Sequence, residues 1–364
     1  MKIGFDAKRL FLNKTGLGNY SRTLVRNLVK YYPDNTYFLY SPKVERNEET
    51  EFFFDKANIK IVVPKNGGGA AWRSRGVLKE IQRDNIDIYH GLSNELPYGI
   101  SKLEVKSIVT IHDVIFERYP KQYAFFDRLM YRHKTKSCIG QADRILSISH
   151  QTTHDLKKYY SVPENKITLI YQTCNPTFTD TPTPFKPKSN DYFLYVGSII
   201  ERKNLLSILE AMTQIEESSR KKLIIAGTGS AYFKKVKSYA AENRLEPWLE
   251  WKGVMSNRDL RELYENSIAL IYPSIFEGFG IPVIESMFAG RPVITSNLSS
   301  LKEAGGEAAI LIDPFKVSEL VDGMNKVVSM EYQKDLEIRI GKHLQKFNPE
   351  KLSSQLMDLY QSPD

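Results

Sequence analysis

Two carboxylates eight positions apart, Glu277 and Glu285, bracket Gly278, Phe279 and Gly280 in the run Pro273-Ser-Ile-Phe-Glu-Gly-Phe-Gly-Ile-Pro-Val-Ile-Glu285. The run follows the apolar stretch Ile268–Tyr272 and opens a predicted helix, with Pro282 suited to its first turn. Glycines let backbone N–H groups approach a ligand closely, and a helix N-terminus offers an anion free amides and a partial positive charge. Glu277 is expected before the turn and Glu285 in the first helical turn, so that both face one crevice. Carboxylates accept hydrogen bonds from hydroxyls while amides donate to phosphate, a combination that suits a sugar phosphate. Alone, Glu285 would read as a glutamate favouring the helix dipole and Glu277 as a loop carboxylate in water. With Gly-Phe-Gly between them, the pair reads as a donor-binding site.

Three further clusters carry chemistry. In Val196-Gly-Ser-Ile-Ile-Glu-Arg-Lys-Asn204 a strand ends in a glycine turn, and Arg202 and Lys203 precede a helix. Cations placed in advance there would meet the charge that develops on a departing nucleoside diphosphate, so the two form a candidate phosphate clamp, Lys203 first. Lys14-Thr-Gly-Leu-Gly-Asn-Tyr20 lies between the first strand and first helix, where a tight turn alone explains Gly-x-Gly. Thr110-Ile-His-Asp113 puts His112 at a strand end; Asp113 either orients it or hydrogen-bonds the turn.

Positioning these groups requires strands whose carboxyl ends meet at one edge. The first half alternates predicted strands (Lys2–Asp6, Tyr37–Tyr40, Ile59–Val63, Ile86–His90, Val105–Ile111, Arg144–Ile148) with predicted helices, among them Tyr20–Tyr32, Trp72–Asp84 and a stretch from Gln122 to Gly140. Residues 176–190 hold prolines without periodicity and read as a linker. A second strand–helix series follows, from Tyr192–Val196 to Ala309–Ile312. The loop Gly253-Val254-Met255 is a candidate floor for a nucleotide base. Two doubly wound parallel-sheet domains, 1–175 and 191–345, are therefore expected, with ligand bound at the strands' carboxyl ends. Asn348 and Pro349 start a last helix whose Leu352, Leu356, Leu359 and Tyr360 share one face.

The chain has 364 residues, 41% of them apolar, enough for two cores. No apolar run reaches the length of a membrane span, and the start Met-Lys-Ile-Gly-Phe-Asp reads as a strand and not as a leader peptide. Cys138 and Cys174 have no redox or metal spacing, which suits a reducing, cytoplasmic setting. Residues 1–180 hold 28 Lys and Arg against 19 Asp and Glu, whereas residues 181–364 hold 23 against 24. The basic excess thus lies wholly in the first half and suggests an anionic partner there. In Arg118–Arg144, helical spacing would bury some aromatics as core; the alternative reading is a basic face, with Arg128, Arg132, Lys134 and Lys136, resting on anionic lipid. No helix-turn-helix, RNP or zinc pattern supports nucleic acid binding. The chain has no Asp-x-Asp triplet, and no metal or other cofactor is expected: cations and a helix N-terminus can stabilise phosphate instead.

The run EGFGIPVIESMFAGRPVITSN, with Glu-x7-Glu, resembles the retaining nucleotide-sugar glycosyltransferases of family GT4, and the resemblance extends over nearly the whole chain. It implies the GT-B fold, two Rossmann-like domains facing a central cleft. It assigns Glu277 to the transferred sugar, Glu285 to the ribose hydroxyls, and the amides of Gly278, Phe279 and Gly280 to sugar hydroxyls. Gly16 matches a glycine whose turn overhangs the donor phosphate, although the family's preceding glycine is here Thr15, and the family's arginine after the strand-end glycine is here Ser198. His112 matches a histidine near the reacting sugar, where it would donate a hydrogen bond to a hydroxyl. By the same resemblance the first domain takes the acceptor, a glycan or lipid-linked sugar. The terminal segment 346–364 returns to that domain, and the donor is a nucleotide-sugar, GDP-mannose before UDP-hexoses. The implied role is in cell-surface polysaccharide synthesis, peripheral to the inner face of the membrane. An epimerase or a phosphorylase on the same fold is the alternative, but no lysine-bound cofactor motif is present.

Overall fold

The strands of the first sheet are β1 (Lys2–Asp6), β2 (Thr36–Tyr40), β3 (Ile59–Val62), β4 (Ile88–Gly91), β5 (Lys106–Ile111), β6 (Arg144–Ser147) and β7 (Ile167–Leu169). Those of the second are β8 (Tyr192–Val196), β9 (Lys222–Ala226), β10 (Leu249–Gly253), β11 (Ser267–Tyr272), β12 (Val293–Ser296) and β13 (Ile310–Ile312). The computed structural model describes residues 1–65, 67–186 and 192–363. Every strand pairing is parallel, in the orders β3-β2-β1-β4-β5-β6-β7 and β10-β9-β8-β11-β12-β13. Both are doubly wound sheets, and in each the winding reverses at one point: between β1 and β4, and between β8 and β11. Flanking crossovers diverge there and leave a crevice at the carboxyl ends of the strands.

Burial follows position in the sheet. Central β11 is buried at every residue and reads as a continuous apolar run, as a parallel strand covered on both faces must. Edge strand β10 is nowhere fully buried and alternates in exposure. Helices Leu205–Gln214 and Val317–Val327 bring Leu205, Ile208, Leu209, Leu320, Met324 and Val327 into the second core, on Ile225, Ile271 and Ile294. The first core joins Tyr89, Val109, Ile111 and Ile145 to Ile81, Cys138 and Leu156 from its helices.

The chain divides into two compact units, Met1–Thr173 with Pro349–Asp364, and Cys174–Asn348. The backbone therefore passes between them twice. The expected linker 176–190 needs correction. Phe178 is buried with its ring edge-on to Tyr264 at 5.7 Å, and the amide of Thr183 donates to the carbonyl of Phe288. Arg261 donates to the carbonyls of Thr177 and Thr181 and to the Thr183 hydroxyl. Prolines removed periodicity from this stretch, but the Arg261 guanidinium fastens it to the second unit; residues 187–190 lie outside the described ones. The last segment also starts later than 346: Phe347 is buried edge-on to His343 within the second unit, and the terminal helix is Pro349–Gln361.

That helix packs on helix Gly16–Tyr31 with Leu352, Leu356, Leu359 and Tyr360 buried and Gln355 and Asp358 exposed. Lys106 Nζ donates to the carbonyls of Leu359 and Tyr360 at 3.0 and 3.3 Å, satisfying acceptors that every helix C-terminus leaves open. The Tyr360 hydroxyl shares a hydrogen bond with His90 Nδ1 at 2.8 Å, His90 Nε2 shares one with Thr110 Oγ1 at 2.8 Å, and Thr110 in turn meets the Tyr20 hydroxyl at 3.0 Å. Burial drives the His90 pKa down to about 3, so the ring is neutral and can donate through one nitrogen and accept through the other.

Leu356→Ala is expected to destabilise the protein by about 2–5 kcal/mol through lost burial and the cavity left behind. Tyr360→Phe should cost about 1–3 kcal/mol, because it strips a buried ring nitrogen of its partner. Asp358→Ala, on the exposed face, should stay within about 0.5 kcal/mol. Urea unfolding of the three variants checks this ordering.

Candidate active site

Both cations and both carboxylates of the second unit come to its switch point, from the segments that leave β8 and β11. After β8 the backbone turns through Gly197 into a short helical turn, Glu201–Lys203, which sets Arg202 and Lys203 side by side. The amide of Ile275 donates to the carbonyl of Arg202 at 2.9 Å and ties this turn to the loop after β11. Glu277 Oε1 then lies 3.1 Å from Arg202 Nη1 and 3.3 Å from Lys203 Nζ. It also accepts from the Tyr272 hydroxyl at 3.0 Å, which itself accepts from Lys203 Nζ at 2.6 Å. Burial opposes ionisation of Glu277, but Lys203 and Arg202 outweigh it and hold the carboxyl below the ordinary carboxylate range.

The loop is pinned on both sides of that carboxylate. The Glu277 amide donates to Ser299 Oγ at 3.3 Å, and Ser300 Oγ donates to the Glu277 carbonyl at 2.7 Å. Arg202 also donates to the Phe276 carbonyl. Phe279 is buried edge-on against Phe347 at 5.7 Å. Gly280 caps helix Ile281–Phe288 at φ 115°, a left-handed conformation that glycine adopts freely, and a Cβ there would stand 2.6 Å from Leu301 Cδ2. The amides of Gly278 and Gly280 donate to no group among the described residues, and they stand at the positive end of this helix.

Glu285 is not in the first helical turn, as expected, but in the second, because the helix starts only at Ile281. It is 5% exposed and accepts from the Tyr264 hydroxyl at 3.0 Å. Burial pushes its pKa up to about 7 against the opposing Tyr264 hydrogen bond and the Lys203 charge. Cys174 lies near enough that burial, and then Glu285, raise its thiol. Val254, in the loop proposed as a base floor, is largely exposed.

His112 and Gly16 belong to the first unit. His112 follows β5; its amide donates to Asn94 Oδ1 at 2.9 Å and its carbonyl accepts from Thr152 Oγ1 at 2.9 Å. The ring stands edge-on to Tyr20 at 4.6 Å. Burial lowers its pKa to about 4, so the ring is neutral, and Nε2 meets the Leu92 carbonyl at 2.9 Å. A carbonyl only accepts, so Nε2 carries the proton and Nδ1 is an acceptor. The expectation that His112 donates to a sugar hydroxyl is thereby corrected: its donor is committed to Leu92. Asp113 bonds the turn, Oδ1 accepting from the Ile115 amide at 3.1 Å. Gly16 is the first residue of helix Gly16–Tyr31 and not part of a turn ahead of it, and a Cβ there would meet nothing. Gly18 is the constrained one: a Cβ would stand 1.8 Å from the Asn13 carbonyl, while Asn13 Oδ1 accepts from the amides of Thr15 and Gly18.

Tyr272 and Tyr264 were not singled out from sequence. Tyr272 ends a strand whose every residue is buried, so its ring reads as core and nothing in the pattern marks its hydroxyl. Among the described residues, no three of His, Cys, Asp and Glu gather where they could hold a metal ion, and no helix is long and apolar enough to cross a membrane.

The model of the glycosyl transferases group 1 matches residues 178–346, and that of glycosyltransferase family 4 matches residues 15–178. The chain belongs to the group 1, family 4 glycosyltransferases. It is similar to the O-antigen chain mannosyltransferase B of Escherichia coli, 26% identical over 342 residues that cover 88% of each chain. Among solved structures it resembles sucrose-phosphate synthase from Thermosynechococcus elongatus, with TM-score 0.79, 18% identity, and 99% and 98% of the two chains covered. Anabaena HepE in complex with UDP and glucose is also similar, with TM-score 0.75, 14% identity, and 100% and 99% covered. This glycosyltransferase therefore has the GT-B fold, and Glu277 and Glu285 lie within the group 1 match.

Because the folded pKa of Glu285 exceeds the ordinary 4.5, native protein keeps a proton there that unfolded chain has released. The contribution of Glu285 to stability is then greatest below pH 4.5 and is lost as pH rises through about 7, by about 3 kcal/mol in all. Glu285→Gln should remove that slope, its advantage over wild type emerging above pH 4.5 and reaching its full size above about pH 7, as urea unfolding across pH will show. A variant whose advantage is equal at every pH would contradict a raised Glu285 pKa.

Proposed function

We propose that this glycosyltransferase moves a hexose, mannose from GDP-mannose, to a glycan or lipid-linked acceptor with retention of anomeric configuration and without a metal ion. The reading is carried by the Glu277 carboxylate paired with Arg202 and Lys203 beside the Gly278 and Gly280 amides just ahead of helix Ile281–Phe288. Mannose is favoured because a relative covering 88% of each chain is named an O-antigen chain mannosyltransferase, which also points to a cell-surface polysaccharide as product. A UDP-hexose is the second donor, since the similar HepE structure holds UDP and glucose.

In this reading Glu277 accepts from hydroxyls of the transferred sugar and Glu285 from those of the ribose. The loop amides donate to sugar hydroxyls, and Lys203, with Arg202 beside it, faces the diphosphate. The acceptor oxygen forms its bond to the anomeric carbon on the face from which the phosphate leaves. The breaking bond's electron pair goes to the phosphate, whose oxygen takes the acceptor's proton. Two cations and a helix N-terminus stabilise the leaving charge in place of a metal. His112 in the first unit, neutral, can receive a hydroxyl's hydrogen bond at Nδ1. The protein would work at the cytoplasmic face of a membrane, its basic first unit towards anionic lipid.

Incubation with GDP-mannose and UDP-glucose, followed by NMR of the product anomer, tests donor and stereochemistry together; an inverted product would rule out the same-face reaction. Glu285→Ala is expected to weaken binding of the free nucleoside diphosphate, whereas Glu277→Ala should leave that binding intact and abolish turnover. Equal affinity of wild type and Glu285→Ala in calorimetry would remove the ribose assignment.

Lys203→Ala should raise the barrier by about 3 kcal/mol, on the order of a hundredfold in kcat. Transfer by the wild type should persist in excess chelator. Metal-reversible loss of all activity would show that the cations do not suffice.

A further inference from the structure

Between helix Gly16–Tyr31 and the terminal helix Pro349–Gln361 the first unit keeps a cavity that its own packing does not explain. The two helices supply facing walls, and the segment that follows β7 supplies a third. All three belong to the first unit, whose chain leaves it after Thr173 and re-enters it at Pro349. At about 40 Å³ the cavity exceeds the roughly 10–15 Å³ that one water needs, so it has room for a small group of several heavy atoms.

Three polar side chains on these walls are more than nine-tenths buried: Asn27 at 7% exposure, Gln172 at 8% and Thr173 at 7%. Among the described residues, the Asn27 and Gln172 carboxamides make no hydrogen bond, and Thr173 Oγ1 is buried without a partner. Their neighbours are satisfied: Ser353 Oγ donates to the Pro349 carbonyl at 2.7 Å, and the Tyr20 hydroxyl meets Thr110. A buried carboxamide with no partner lowers stability relative to an apolar side chain of similar shape. Folding therefore does not account for Asn27 and Gln172.

The walls restrict what could pair with them. Among the described residues, no Asp, Glu, Lys or Arg lines the cavity, so an ion would be desolvated there without compensation. A wholly apolar ligand would leave both carboxamides unpaired. The remaining surface is aliphatic, from Leu24, Ile170, Leu352 and Leu356. A fitting group is neutral, both donates and accepts, and carries a small apolar body. An N-acetyl group has these parts: its carbonyl accepts from a carboxamide N–H, its N–H donates to a carboxamide oxygen, and its methyl lies against leucines. A sugar hydroxyl offers the donor and the acceptor but no methyl.

We propose that this cavity binds the acetamido group of an N-acetylated sugar through Asn27 and Gln172. The inference goes beyond the transferase reading and does not rest on it. Tyr20 lines the cavity and meets His112 edge-on, but His112 itself does not line it.

Full-length protein is mixed with N-acetylglucosamine, and separately with glucose, and the saturation passed from protein to sugar is read by NMR. Wild type is expected to saturate the acetamido methyl most strongly and to give no comparable signal with glucose. Asn27→Leu and, from another wall, Gln172→Leu should each weaken binding of N-acetylglucosamine on the order of tenfold, the worth of one neutral hydrogen bond. Both should keep or raise the urea midpoint, because an apolar side chain of similar size replaces an unpaired carboxamide. Wild type without methyl saturation overturns the proposal and leaves the carboxamides to bound water. Variants that bind like wild type overturn it too, since the sugar then sits elsewhere, as does glucose held equally well in an Asn27-dependent way. A midpoint that falls in both variants would show the carboxamides to be structural and is equally fatal. Binding is read without turnover, so a failure of the transferase reading shows in the transfer assay alone.

Discussion

A carboxylate withdrawn from water stays charged only if cations are held against it, and the second unit is arranged around that requirement at Glu277. The two cations come from the segment after β8 and the carboxylate from the segment after β11, so neither is useful unless those strands are neighbours. They are neighbours because the winding of the sheet reverses there, and the same reversal opens the crevice. Tyr272 ends β11 with its hydroxyl between Lys203 and Glu277, which couples the register of the strand to the geometry of the charges. Phe279, Ser299 and Ser300 hold the loop from the other side. Pairing the two cations with the Glu277 carboxylate also keeps these groups ordered, so that little reorganisation is needed if charge develops nearby.

Glu285 shows the opposite solution to the same problem. Among the described residues it has a single tyrosine hydroxyl for a partner and no cation in contact, so burial raises its pKa to about 7. Such a group lowers stability at neutral pH, and an apolar residue would fit the helix interior better. It stands in the helix that follows the Gly278 and Gly280 amides, a buried polar group not explained by folding alone. The pKa values of two glutamates of one motif thus shift in opposite directions, because Arg202 and Lys203 are in contact with only one of them.

In the first unit the organising element is a chain of buried hydrogen bonds, from Tyr360 through His90 and Thr110 to Tyr20, whose ring edge meets His112. Both histidines are kept neutral by burial, and the Leu92 carbonyl sets the tautomer of His112. The last helix is therefore part of the structure that seats His112, although it lies 270 residues from His90 in sequence. At the outer side of the same unit, Glu117 draws the arginines of helix Phe125–Gln141 inward and so turns aromatic side chains to solvent.

The strands, their alternation with helices, the motif Glu277–Glu285 and the amphipathic last helix were legible in the sequence because each is written in local periodicity or in residues close together in the chain. Boundaries shifted where local signals were weak: Gly16–Asn19 reads as a loop but forms a helical turn, since Asn13 caps it by side-chain bonds that spacing does not reveal. β7 was missed because it is only three residues long, none of them fully buried. The segment 176–186 read as a linker because the arginine that fastens it lies some 80 residues away. Sequence by itself determined which residue types stand at the strand ends. Tertiary structure alone decided which carboxylate meets the cations, which nitrogen of His112 keeps its proton and which side of helix Phe125–Gln141 faces out. Charge state and exposure depend on neighbours brought together by strand order, and strand order is a property of the folded sheet that no stretch of chain encodes alone.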